Sequence, residues 1–348
     1  MKKLTLLSVL VIAPWALATD TAYAPPVGGM TISVPTGQTR SVAIPVLHGS
    51  AGVGAMMGRI EAVGVNSITD STAAWQAGGL SSAAVPYYLR IKTGAAAGRI
   101  LMVSTTANTS SQVFLTNDGT DLTQAGIVTG ANGDVYELVL ADTLATLFGN
   151  SILQGGPDAT TADNVQVWGG AAWLVFYYNT TRSRWERNTD TAVSPTRDNF
   201  VLRPDRGIMI VRQAPTDLNM RVYGRVPDVA PKHFETRPGV TFISNGLPVN
   251  TTLGTLALQT RADGWQAGTA PATAVNDADL IQVWGGAAWI IFYYDSGFGH
   301  WQRNIDNGTN RDTFSIPAGR PIMIRRLAAG ATPYDSVVSL PLPYTISQ

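Results

Sequence analysis

Gln166-Val167-Trp168-Gly169-Gly170-Ala171-Ala172-Trp173 recurs residue for residue as Gln282-Val283-Trp284-Gly285-Gly286-Ala287-Ala288-Trp289. The offset is 116 (282 − 166), and it also carries Asp163 onto Asp279 and Phe176-Tyr-Tyr178 onto Phe292-Tyr-Tyr294. Trp185-x-Arg187-Asn188 maps onto Trp301-x-Arg303-Asn304 in the same way. Thr143-Leu-Ala-Thr-Leu147 resembles Thr252-Leu-Gly-Thr-Leu256 upstream, and Ile208-Met-Ile210 matches Ile322-Met-Ile324 downstream. A period this long exceeds any solenoid unit, so the expectation is a duplicated domain and not a repeat array.

Within each repeat the apolar pattern has period two. Residues 165–168 and 173–178 are β-branched and aromatic and flank a small Gly-containing turn, the signature of a hairpin. Trp173, Val175 and Tyr177 point one way, and Leu174, Phe176 and Tyr178 the other. Both faces are apolar, as on a central strand covered on both sides. The far face must therefore meet a second layer, the other repeat or another subunit. Pro204-Asp-Arg-Gly207 and Pro317-Ala-Gly-Arg320 read as turns into the strands 208–212 and 322–326.

The first half lacks this signature. Short strands are expected at 59–65, 87–91, 99–104, 112–115 and 135–139, separated by Gly, Asn, Asp and Ser clusters, as in a small barrel or sandwich. One helix is expected at 142–148, with Asp142 as N-cap and Gly149 as its stop. Residues 22–29, with their Pro pair, read as a lead-in. The predicted organisation is all-β with few short helices. A leader spans 1–18, an N-terminal β domain 19–140, and the two β repeats 141–232 and 233–348.

The 348 residues carry 24 Lys+Arg and 24 Asp+Glu, only 14% charged, against about 25% in ordinary soluble proteins. The balance argues against a polybasic nucleic-acid binder. The absence of cysteine excludes disulfides, thiolate metal sites and a Cys nucleophile. Lys occurs only at 2, 3, 92 and 232, and Glu only at 61, 137, 186 and 235. These residues normally cover exposed helix faces, so their scarcity favours β structure. Lys2 and Lys3, the apolar run 4–13 and Ala16-Leu-Ala18 form an export signal with cleavage expected after Ala18. Ala22-Tyr-Ala24 is disfavoured as a cleavage site by Pro25. Cleavage leaves 330 residues (348 − 18) with charge 22 − 24 = −2. The leader is too short to span a bilayer, and no later segment is long and apolar enough.

Several segments together resemble a family of secreted β-rich proteins of Verrucomicrobia and their relatives, of unknown function. They are Ser67-Ile-Thr-Asp-Ser-Thr-Ala-Ala-Trp75, Tyr88-Leu-Arg-Ile-Lys-Thr-Gly94, Ala97-Gly-Arg99, Leu144-Ala-Thr-Leu-Phe-Gly149, Ala162-Asp163, Phe176-Tyr-Tyr178 with Trp185, and Gly239-Val-Thr-Phe-Ile-Ser-Asn245. The likeness covers nearly the whole mature chain in order. It departs at Trp168-Gly-Gly170 and Trp284-Gly-Gly286, where the family has a Gly-Ser or Gly-Thr turn in a Trp-Asn-Gly context. The resemblance implies export and a β-rich build. It carries no activity, substrate or catalytic residue.

No catalytic constellation is recognisable. His48, His233 and His300 do not lie at zinc-ligand spacing, and neither a Gly-x-Ser-x-Gly elbow nor a phosphate loop is present. Glu186 suggests a glycosidase acid, yet Gln302 replaces it in the second repeat. Asp163 and Asp279 read as turn caps. Residues 117–121 and 276–279 are Asp-rich enough to offer calcium oxygen ligands, but both fall short of an EF-hand loop, so no cofactor is expected. The candidate ligand-binding residues are Trp185, Arg187, Asn188, Trp301, Arg303 and Asn304. Aromatic plates flanked by Arg and Asn have the chemistry to stack on and hydrogen-bond a sugar ring, although Trp also fills β cores.

The leading expectation is a secreted, non-catalytic structural or cell-surface protein, self-associating through its apolar β faces. Its partners would be itself or an extracellular polymer, with no nucleic acid and no integral membrane span. Carbohydrate binding through the repeated Trp/Arg/Asn edges is the alternative. A hydrolase with an unrecognised site is the third.

Overall fold

The repeated hairpins form antiparallel ladders of identical register. Trp168 lies opposite Trp173 and Val165 opposite Phe176, as Trp284 lies opposite Trp289 and Ile281 opposite Phe292. In the computed structural model, residues 27–339 and Leu342 are described, except 49–55, 74, 77, 117–120, 231, 236–238, 245–248, 263 and 328–335. The expected leader lies outside the described residues.

Each hairpin grows into a five-stranded antiparallel sheet. The first runs Arg184–Arg187, Trp173–Asn179, Asn164–Trp168, Gly207–Val211, Thr39–Ala43. The second runs His300–Arg303, Trp289–Asp295, Leu280–Trp284, Ile322–Arg326, Gly239–Ile243. A smaller layer accompanies each sheet. In the first repeat Leu218–Arg225 lies between Val27–Val34 and Leu47–His48; in the second Lys232–Glu235 pairs with Ser336–Ser339. The chain is all-β, built of several antiparallel sheets, and among the described residues none is closed into a barrel.

The first repeat begins earlier in the chain than its sequence signature. Val27–Val34 begins inside the stretch 22–29 read as a lead-in, and with Thr39–Ala43 it is built into the first repeat. Ile32, Val34, Val42 and Ile44 enter the same core as Val165, Phe176 and Ile210. The division expected at residue 140 thus differs from the sheets: residues 56–140 form a separate unit inserted between the first and later strands of repeat one. This unit is a sandwich of a four-stranded sheet (Met56–Arg59, Val135–Leu140, Tyr87–Ile91, Ile100–Met102) and a three-stranded one (Ala62–Gly64, Ser67–Thr69, Gln112–Phe114). Its core holds Ile60, Ile68, Leu89, Val113 and Tyr136. The single strand expected at 59–65 is broken because the backbone changes sheets. Ile60 N–H donates to Asp134 O at 2.9 Å, and Glu61 N–H donates to Thr69 O at 2.8 Å.

Helices are short. Leu144–Phe148 is capped by Thr143, not Asp142: the Thr143 hydroxyl accepts from Thr146 N–H while the Thr146 hydroxyl accepts from Thr143 N–H. Gly149, at φ 57°, ends it. Thr252 caps Leu253–Leu256 in the second repeat. There the spacing from this cap to the repeated hairpin is seven residues longer than in the first repeat (offset 116 at the hairpin, 252 − 143 = 109 at the cap), and the segment carries a helix, Pro271–Asp277, opening on proline, that patterning did not indicate.

A buried ion pair ties strand ends in both repeats. Asp163 takes the Arg212 guanidinium and the N–H groups of Gln154 (2.7 Å) and Gln213 (2.7 Å). Asp279 takes Arg326 Nε (2.9 Å) and the N–H groups of Gln266 (2.8 Å) and Leu327 (2.7 Å). The aspartates read as turn caps cap turns and also neutralise a buried arginine, satisfying groups that would be costly to leave unpaired.

The far faces of the two sheets pack on each other. Trp168, Trp173 and Met209 from the first repeat meet Phe242, Trp284, Trp289 and Met323 from the second. The hydrogen bonds across this contact are reciprocal. Trp168 Nε1–H donates to Val240 O (2.7 Å) and Trp284 Nε1–H to Thr39 O (2.9 Å). Val240 and Thr39 hold the same ladder position, opposite Arg325 and Val211. Ser244 N–H donates to Asp205 O (3.1 Å), and Ala43 N–H to Gly319 O (2.7 Å). The repeats are thus related by an approximate two-fold exchange. One ring sits where the exchange meets itself: Phe242 lies edge-on to Trp173 (5.4 Å between centroids) and to Trp289 (5.8 Å). Its counterpart opposite Met209 is Ser41, small enough to leave that space to Phe242.

Two predictions follow from this contact. Trp168→Phe and Trp284→Phe each leave a carbonyl unpaired and should each cost about 1–3 kcal/mol in urea unfolding. A large disparity between them would argue against the exchange relation. Phe242→Ala should cost about 3–5 kcal/mol, more than either.

Candidate functional site

The tryptophans proposed as sugar platforms are core residues. Trp185 is 1% exposed and Trp301 0%. Trp185 packs against Phe148 and Tyr178 and donates from Nε1 to Gly149 O at 2.9 Å. Trp301 packs against Trp265 and Tyr294 and donates to Gln259 Oε1 at 3.2 Å. Neither indole face can reach a ligand, which corrects the reading of these residues as an aromatic plate. Their period-two position placed them on a face; it could not say that helix 144–148 and Trp265 cover that face.

The polar partners stay nearer the surface than the two indoles. Arg187 and Arg303 are half-buried, and their N–H groups donate to Asp190 (2.8 Å) and Asp306 (3.2 Å). Those aspartates bind Arg197 and Arg311, the arginines of the following loops. Asn188 N–H donates to Val175 O and Asn304 N–H to Ile291 O, extending the ladders by one bond. Arg, Asn and loop aspartate together hold a strand end in each repeat.

Glu186 lies on the far face and is fully buried. It accepts from Arg182, from Arg184 Nε (2.7 Å), from Asn179 Nδ2 (3.0 Å) and from the Tyr177 hydroxyl (3.3 Å). The Arg182 hydrogen bond, followed by that of Arg184, holds its carboxyl down to about 2. A carboxyl so strongly ionised is a poor proton donor near neutral pH. In the second repeat the charge has moved across the ladder: Gln302 occupies the Glu186 position and Asp295, bonded to Tyr293 (3.1 Å), that of Asn179.

Of the Asp-rich turns, Asp121 Oδ1 caps the 3-10 turn Leu122–Gln124, and Asp279 is occupied by Arg326 and two backbone N–H groups. Residues 117–120 lie outside the described residues, as do the side chains of His48 and His233. His300 stacks on Phe298, 5.6 Å between centroids.

Two concave pockets lie at the seam between the repeats. One cleft, about 420 Å³, is walled by Trp168, Phe200, Phe242, Arg203 and Arg206. Arg203 is committed to Asp205 (2.8 and 2.7 Å) and to Ile100 O (3.0 Å), which anchors the inserted unit. A second pocket, about 160 Å³, lies beside the reciprocal Ala43–Gly319 bond and holds Arg40 and Arg320. Sequence reading did not single out either arginine pair. The signal available was the mismatch of the repeated turns, Asp205 against Gly319. No family model, curated protein or solved structure matches the chain.

Glu186 carries a pH signature. Its carboxyl falls from an ordinary 4.5 to about 2 on folding, so the stabilisation is complete above pH 4.5 and lost as pH drops toward 2. Glu186→Gln should be less stable than the parent at neutral pH. In urea titrations the gap should close between pH 4.5 and 2; a gap independent of pH would exclude an ionised strut.

Proposed function

We propose that the protein is an exported, non-catalytic structural protein of the cell surface or extracellular space. The observation that carries this reading is the seam. The two aromatic far faces join one repeat to the other, with Trp168, Trp173, Trp284 and Trp289 half-buried between them. Four of the buried carboxylates, Asp163, Asp279, Glu186 and Glu137, are each bound by arginine. Glu137 binds both Arg90 of the inserted unit (2.7 Å) and Arg225 of repeat one (3.2 Å), so it braces one unit against the other. The other three tie strand ends within one repeat, so buried charge here serves structure at both levels, as in a rigid spacer.

The expected self-association through apolar β faces loses its basis, because those faces find each other within one chain. The partner that fits the low-charge, Asn-, Ser- and Thr-rich exterior is an extracellular polymer. The carbohydrate reading through Trp185 and Trp301 falls with their burial. Among the described residues no helix is long and apolar enough to cross a membrane. The resemblance to secreted β-rich proteins of Verrucomicrobia supports the same compartment.

Intact-mass analysis of the native protein after cell fractionation tests the proposal. A chain beginning at residue 19 in the surface or extracellular fraction is expected. Recovery of the full chain, still carrying residues 1–18, in the cytoplasm overturns it. At high concentration, light scattering should report one chain per particle.

A further inference from the structure

The repeats differ at one charged place on the seam. On one side Asp205 accepts both nitrogens of Arg203, Arg206 lies 3.8 Å from the same carboxylate, and Thr241 stands on the facing strand. The exchange relation carries Asp205 to Gly319, Arg206 to Arg320, Arg203 to Pro317 and Thr241 to Arg40. The acid has gone and an arginine has been added on the facing strand. Arg40 and Arg320 make no side-chain hydrogen bond or ion pair with any described residue. By contrast Arg90, Arg182, Arg184, Arg197, Arg203, Arg212, Arg311 and Arg326 all have acidic partners.

The two guanidiniums share a defined pocket. It opens between two edge strands, Val27–Val34 and Thr39–Ala43, and is closed on the third side by Pro317–Arg320 of the other repeat. The Ala43 N–H to Gly319 O bond (2.7 Å) fixes that third wall. Burial, and then the charge of Arg40, lower the pKa of Arg320, so the two cations are within electrostatic reach of each other. The volume of about 160 Å³ suits a small group and a few waters. Two like charges sharing a partly desolvated pocket are unfavourable unless a counter-charge enters. Guanidinium forks match the oxygens of a phosphate or sulfate.

We infer that the pocket holding Arg40 and Arg320 is a binding site for a tetrahedral oxyanion, a phosphate or sulfate group. The group is either a free ion or an ester on a larger molecule. Its binding fastens the first repeat's edge strand to the turn of the second and so reinforces the seam.

Calorimetric titration and thermal unfolding of the mature chain test this, with sodium phosphate, sodium sulfate and, at matched ionic strength, sodium chloride. Phosphate or sulfate should raise the melting temperature saturably, and chloride should not. Arg40→Thr copies the residue at the corresponding place in the other repeat and removes the repulsion. In chloride it should melt at or above the parent temperature, whereas its phosphate or sulfate affinity should fall at least tenfold. Arg320→Gln should behave likewise. Dextran sulfate separates the sources. Competition with inorganic sulfate at far lower sulfate-group concentration assigns the site to a polymer-borne ester, and parity assigns it to the free ion. No saturable effect of either oxyanion, or undiminished binding by both variants, overturns the assignment.

Discussion

The contact between the two far faces is the constraint on which the rest of the molecule depends. A central strand apolar on both sides cannot stand alone in water, because one face would remain exposed after the other is buried in its own sandwich. Duplication resolves this. Each sheet supplies the cover for its twin, and the two indole N–H groups that would be stranded in an apolar seam donate to backbone oxygens of the opposite repeat. Those oxygens lie on the outer strands Thr39–Ala43 and Gly239–Ile243, each next to only one neighbour in its sheet. The seam therefore also blunts two sheet edges.

An approximate two-fold relation does not require equal residues at its centre. Phe242 occupies the space shared by Trp173 and Trp289, and Ser41 yields it. The same licence operates in the charges. Glu186 and Asp295 place a carboxylate on opposite members of the ladder, and Asp205 and Gly319 divide a seam turn into a neutralised side and a cationic one. The shared skeleton of hairpin, Asp–Arg clamp and threonine cap is kept in both repeats, while the seam carries their differences.

The sandwiches themselves were largely legible. Alternation in 173–178 assigned Leu174, Phe176 and Tyr178 to one face and Trp173 to the other, and both assignments correspond to packed clusters. The turn before Ile208 and its twin before Ile322 were legible from Pro and Gly. Less legible was the first repeat's beginning. Thr39–Ala43 shares little sequence with Gly239–Ile243 beyond one apolar position, and the inserted unit separates it from its neighbours in the sheet. The helix at 271–277 escaped because five of its residues are small or polar and no apolar stripe marks it.

The sequence by itself determined the all-β class, the repeat, its strand faces and the expectation of export. Each rests on local chemistry: side-chain period, turn residues, and the order of basic, apolar and small residues at the start. Only the tertiary structure decided what lies opposite each face. Trp185 and Trp301 became core because a capped helix in one repeat and Trp265 in the other close over them. Arg40 and Arg320 came together because a strand that precedes the inserted unit docks beside a turn near the other end of the chain. Periodicity tells a residue which way to point. It holds no information about which other part of the chain arrives opposite that side chain, and that arrival turned an apparent binding edge into packing and two unremarkable arginines into a site.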